Sequence, residues 1–197
     1  DRSGAMTSRG KVHKYLGMTL DYTVRGQVMI TMVDYIEEIL SAFKKADPKA
    51  SGTTTSAAPD SLFKIDEDCE NLSPVKAVEF HNLVAKTLYA TKRARPDTCT
   101  AIAFLATRVR APDKDDWTKL AHLMRYLRGT RKLPLTLSAD GSGILKWWVD
   151  ASFAVHPNMR GHSGGRLSTG RGFPNVSSTK QKLNTRSSTE SEIVGAD

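Results

Sequence analysis

Near its start the chain alternates: in "KYLGMTLDYTVRGQVMIT", Leu16, Met18, Leu20 and Tyr22 share one face of a strand, and Gly26 sits where a turn is needed before Gln27. The pattern predicts a β-hairpin. The apolar period then lengthens to that of a helix, with Val33, Ile36, Leu40 and Phe43 on one stripe. Thr31, three residues ahead of Asp34, reads as a capping box, and Pro48 marks the stop. Periodicity is lost over residues 46–72, which are rich in Ser, Thr, Ala and Pro and then acidic, so a linker is expected there. Ser73 followed by Pro74 signals a new helix start, with Phe80, Val84 and Leu88 in step. Another helix is expected after Arg95-Pro96-Asp97, using Ile102, Leu105 and Val109. A third places Trp117, Leu120, Met124 and Leu127 on one stripe, with acids in its first turn, bases in its last and Gly129 as its stop.

The final third changes character. "LPLTLS" and "ILKWWVDASF" read as strands joined by a turn at Gly141-Ser142-Gly143, and "GHSGGRLST" and "GFPNVSSTK" as two further short strands. Trp147 and Trp148 alternate across a strand, so one is expected in the core and the other under a helix. "SSTESEIVGAD" looks like a helix beginning with Ser or Thr caps. Together these elements predict an α+β fold: a hairpin, a helical region and a final sheet.

Composition narrows the partners. A formal net charge of +8 and a pI near 9.6 exceed what solubility requires and point to a polyanion, with nucleic acid favoured over a membrane surface. Two cysteines, Cys69 and Cys99, without a CxxC spacing support neither a disulfide framework nor a zinc site, and fit an intracellular protein. No apolar run approaches the roughly 20 residues of a membrane span. The absence of Met at position 1 and the end at Asp197 inside a helical pattern suggest a piece of something longer.

Several features bear on possible chemistry. Asp150 closes an apolar stretch; it is either a turn aspartate or a carboxylate held at a sheet rim to bind metal. Two-metal phosphoryl transfer needs carboxylates from different elements converging on ions about 3.5–4 Å apart, which Asp150 and Glu192 would supply. Glu192 could instead close a capping box with Thr189, as Glu190 could with Ser187. Between Phe153 and Glu190 there is no acid, but there are Arg160, Arg166, Arg171, Lys180, Lys182 and Arg186, a field suited to phosphates or simply to a solvated face. A second basic group, including Arg108, Arg110, Arg125, Arg128, Arg131 and Lys132, lies along the helices. His156 and His162 lack zinc-spaced partners, and surface positions are expected for them.

In order along the chain, "KYLGMTLDY", "YIEEILSAF", "FHNLVAKTLYATKRARPD", "LAHLMRYLRGT" and "WWVDASFA…SGGRLSTG…SSTKQKLNTRSSTESEIV" resemble the C-terminal part of the pol polyprotein of copia-type LTR retrotransposons, over residues 12–197. The resemblance implies a division into the end of a reverse transcriptase palm with the thumb start (1–45), the linker (46–72), thumb and connection helices (73–132) and the N-terminal part of a ribonuclease H-like domain (133–197) with an incomplete mixed sheet. It implies Asp150 and Glu192 as catalytic and metal ligands, with Glu190 as the fallback, and Mg²⁺ or Mn²⁺ as the cofactor of the parent enzyme. It implies RNA/DNA hybrid, single-stranded nucleic acid and the remainder of the polyprotein as partners, in a cytoplasmic particle or the nucleus, and no membrane. Two departures matter. The polymerase motif of a tyrosine followed by paired aspartates precedes the matched region, and the chain stops before the two later ribonuclease H aspartates, Asp197 being too close to Glu192 to replace them. The chain by itself is therefore expected to be inactive. The rival expectations are a non-catalytic, basic nucleic-acid-binding module and a decayed element.

Overall fold

The computed structural model describes residues 9–197. It is α+β, as expected. Strands β1 (Val12–Tyr15), β2 (Met18–Asp21) and β3 (Gln27–Thr31) form a meander rather than one hairpin. The extra reversal falls at Leu16 and Gly17, whose φ values of 50° and 77° place both in the left-handed region and turn the chain in two residues. Leu16 therefore does not continue the apolar face with Met18 and Leu20. Helix α1 (Val33–Ala46) buries Ile36, Ile39 and Phe43. Its N-cap is Met32, with no side-chain hydrogen bond, so the expected Thr31 capping box does not form.

Helix α2 (Pro74–Thr91) starts as predicted, with the Ser73 hydroxyl accepting from the Lys76 N–H. A 3₁₀ turn at Pro96–Thr98 leads into α3 (Cys99–Arg108), and α4 (Lys114–Gly129) opens with a full capping box between Asp113 and Asp116. Phe80, Leu83, Ile102, Phe104, Leu120, Leu123 and Met124 join the α1 residues in one buried core. Residues 47–73 contain no helix or regular strand, but they lie on this core: Leu62 is buried, and Ala57, Ala58, Phe63, Ile65 and Leu72 pack against it.

β4 (Leu135–Ala139) pairs antiparallel with β3, and the short β7 (Gly170–Arg171) pairs with β4, completing a five-stranded sheet ordered β1-β2-β3-β4-β7. β5 (Lys146–Ser152), β6 (His162–Ser168) and β8 (Asn175–Lys180) form a second sheet, and α5 (Ser188–Ala196) packs on one of its faces. The turn at residues 141–143 thus joins strands of two different sheets. Both sheets are antiparallel throughout the described residues, where a mixed final sheet was expected.

One buried cation ties the helices together. Arg95, 1% exposed, donates from Nε and Nη2 to the Asp97 carboxylate and from Nη1 and Nη2 to the Thr130 carbonyl and hydroxyl. The Tyr126 hydroxyl donates to the same Asp97 at 2.8 Å. The ends of α2 and α4 are thereby locked to the 3₁₀ turn. Replacing Arg95 with Met leaves these partners unmatched, and a loss of about 3–5 kcal/mol is expected in urea unfolding. Leu62→Ala should cost about 2–5 kcal/mol in the same assay if residues 47–73 are part of the core; a change below about 0.5 kcal/mol would contradict that packing.

Candidate functional site

Strand alternation sorts the second sheet into two faces. On one, the antiparallel register sets Trp148 beside Arg166 and Val176, Asp150 beside Gly164 and Ser178, and Ser152 beside His162 and Lys180. This face looks across a cleft of about 560 Å³ at Phe63 of the segment between α1 and α2, and at Pro96, Asp97, Cys99 and Thr100 around the start of α3. The other face carries Val149 and Ala151, against which α5 lies: a Cβ added to Gly195 would come within 3.2 Å of Ala151.

This division separates the two predicted metal ligands. Asp150 is exposed on the cleft side, in a strand that continues for two residues beyond it. Glu192 is exposed on α5, which covers the opposite face. Among the described residues, no three His, Cys, Asp or Glu side chains come together in a way that could hold a metal. As arranged, Asp150 and Glu192 do not fit a two-ion centre. Glu190 is a cap: its N–H donates to the Ser187 hydroxyl at 3.2 Å, and its carboxylate accepts from the Arg186 N–H at 2.7 Å.

The predicted basic residues fare differently. Arg166, Arg171, Lys182 and Arg186 are exposed, Arg160 and Lys180 are half-buried, and among the described residues none of the six is in an ion pair. Burial and the neighbouring charges of Arg160 and Arg108 hold the Lys180 ammonium below the usual lysine range. These are uncompensated cations. Several basic residues of the helices are instead committed to partners within the protein. Arg108 pairs with Asp113 and Asp116, Arg131 pairs with Glu37, and Arg128 donates to the carbonyls of Gly52 and Ala50.

Two expectations are overturned. His156 and His162 are buried, not on the surface. Their rings approach at 3.1 Å between His156 Nε2 and His162 Nδ1, and His162 Nε2 lies 2.6 Å from the Ser178 hydroxyl. Phe63 packs edge-on against His156 and tilted against His162, and Phe104 stacks on His156. This array was missed because it depends on the β6–β8 register and on residues distant in sequence. Trp147 and Trp148 are also not enclosed; they are 51% and 48% exposed, because α5 covers only part of one face and the cleft opens the other.

An α+β chain with two antiparallel sheets, an open cleft and a separate run of exposed basic residues is the class of protein these observations define. It is 28% identical over 99% of its length to a retrovirus-related Pol polyprotein from transposon TNT 1-94 of Nicotiana tabacum, of which it spans 15%. It is 23% identical over 90% of its length to a putative transposon Ty5-1 protein of Saccharomyces cerevisiae, spanning 56% of that protein. Against an uncharacterized mitochondrial protein of Arabidopsis thaliana the identity is 24% over 95% of this chain and 75% of the other. Homologues of this chain are thus Pol polyproteins of copia-type transposons, matched over most of its length at modest identity, and the resemblance seen in the sequence holds. No family model and no solved structure matches it. Among the described residues, no helix is long and apolar enough to cross a membrane.

Burial is the main reason that both imidazoles sit below their ordinary value near 6.5, His156 at about 4 with help from Lys180 and His162. Above the unfolded value, both states hold neutral imidazoles and this contribution to stability is complete. As pH falls from about 6.5 towards 4, the unfolded chain takes up protons that the folded one refuses, and stability drops. Urea midpoints measured across this window should decline with acidification, and less steeply for His156→Asn. An unchanged slope in the variant would remove His156 as a cause.

Proposed function

We propose that this chain is a nucleic-acid-holding segment of a retrotransposon Pol polyprotein, drawn from the junction of its reverse transcriptase and ribonuclease H parts. In this reading the parent copies RNA into DNA and cleaves the RNA strand of RNA/DNA hybrids. Residues 133–197 correspond to the beginning of the ribonuclease H part, and the helices before them to thumb and connection. This chain's own contribution is to hold phosphates rather than to cut them.

The observation that carries the reading is the set of six cations that make no ion pair among the described residues, in a stretch without a single acid. Free cations of this kind displace condensed counterions from a nucleic-acid backbone and add affinity that salt removes. The separation of Asp150 from Glu192 by the thickness of the sheet favours holding over cleavage. Mg²⁺ or Mn²⁺ enters the reading only as a requirement of the whole parent, and the partners are RNA/DNA hybrid and single strands.

The test is binding of a labelled RNA/DNA hybrid across a salt series. Affinity should fall steeply with salt, and each neutralisation among Arg160, Arg166, Arg171, Lys180, Lys182 and Arg186 to Gln that removes a phosphate contact should flatten the slope by about 0.7–0.9. With Mg²⁺ added, no cleavage that depends on Asp150 is expected. RNA-strand cleavage abolished by Asp150→Asn would show a working nuclease and refute the holding role.

A further inference from the structure

The two adjacent tryptophans are almost equally exposed, but only one has its exposure accounted for by the fold. Trp147 lies on the α5 side, where its ring occupies the space over Gly165; a Cβ there would collide with it. Its register partner is Leu167, and the ring leans over Gly165 so that ring and backbone pack together. Trp148 points the other way, into the cleft. There its ring meets Phe173 edge to face, with centroids 5.9 Å apart and planes at 88°. A perpendicular neighbour braces the indole without lying flat over it. Arg166 is directly across the strand pair from Trp148, exposed, and its guanidinium carbon lies 5.4 Å from the Phe173 ring centre.

A braced, half-exposed aromatic plane beside an unpaired guanidinium has the chemistry needed to bind a nucleotide whose base is free to stack. The cleft is within the usual size range for ligand sites. Asp150 and Thr100 are also on its walls, offering hydrogen-bonding groups to a base edge. The Asp150 carboxylate repels phosphate, so the backbone would pass on the Arg166 side.

Resting on the nucleic-acid reading above, we propose that Trp148, braced by Phe173, is a stacking platform for one unpaired base of single-stranded DNA or RNA, with Arg166 holding the adjoining phosphate. A base inside a duplex is already stacked on its neighbours and has no free face to offer. The platform therefore discriminates single strands and unpaired ends from continuous duplex.

The experiment is fluorescence polarisation of a short labelled oligothymidylate with the full chain and its Trp148→Ala, Trp148→Phe and Trp147→Ala variants, and with a duplex of the same length. Trp148→Ala should weaken single-strand binding about 5- to 150-fold. Trp148→Phe should restore most of it, and Trp147→Ala should stay within about twofold. Duplex binding should be nearly insensitive to Trp148. In a Trp147→Phe background, indole fluorescence should be quenched as the single strand binds.

Salt-dependent binding that persists unchanged in Trp148→Ala would overturn the platform and leave the broader reading intact. So would equal losses in the two alanine variants, or an equal dependence of duplex binding on Trp148. No binding by the parent chain to any nucleic acid would overturn both.

Discussion

The cleft depends on a buried guanidinium that never touches it. Arg95 is enclosed where α2 ends, and its fork of donors is shared between Asp97 and Thr130. Burying a charge is tolerable only when its hydrogen-bonding capacity is met, and here a carboxylate, a carbonyl and a hydroxyl meet it. Pro96, Asp97, Cys99 and Thr100, which follow directly in the chain, form the wall opposite the second sheet. The lock on Arg95 therefore sets where that wall stands. Thr91 and Thr98, their hydroxyls 2.6 Å apart in the interior, reinforce the same corner.

The facing wall is a sheet only three strands wide, and its two sides have different roles. α5 occupies one side, made possible by Gly195, where a side chain would press on Ala151 and Ser163. The other side keeps Trp148, Asp150 and Arg166 accessible. Because successive side chains in a strand point in opposite directions, Val149 and Asp150 are on opposite sides by necessity. Any chemistry that needs Asp150 must therefore draw its partners from the cleft side. There the structure offers Ser178, His162 and the start of α3 instead of Glu192.

The histidine pair joins the two walls through aromatic contacts. Phe63, from the irregular segment after α1, reaches both imidazoles and also packs edge-on against Phe104 in α3. A stretch whose composition reads as a spacer thus contributes a packing residue at the floor of the cleft. Unpaired and internally paired basic residues also divide along the chain. Several arginines on the helices pair with acids or carbonyls of the protein, whereas among the described residues those after Phe153 make no side-chain ion pair.

Much of the architecture was legible in the residues themselves. Periodicity located the helices near their final bounds, because an amphipathic stripe specifies its own period. The Ser73-Pro74 start and the glycine-rich turns are local signals that need no distant partner. The acid-free basic stretch was equally visible, since charge is a property of composition. Other features depended on contacts between distant residues. The reversal at Leu16-Gly17, the membership of β4 in the first sheet, the burial of His156 and His162 and the separation of Asp150 from Glu192 all follow from pairing and packing across the chain. Sequence alone therefore determined the α+β class, the helices and the strongly basic charge, which are local or additive properties. Tertiary structure alone decided which side chains share a face, because that depends on strand register and on which helix covers which side.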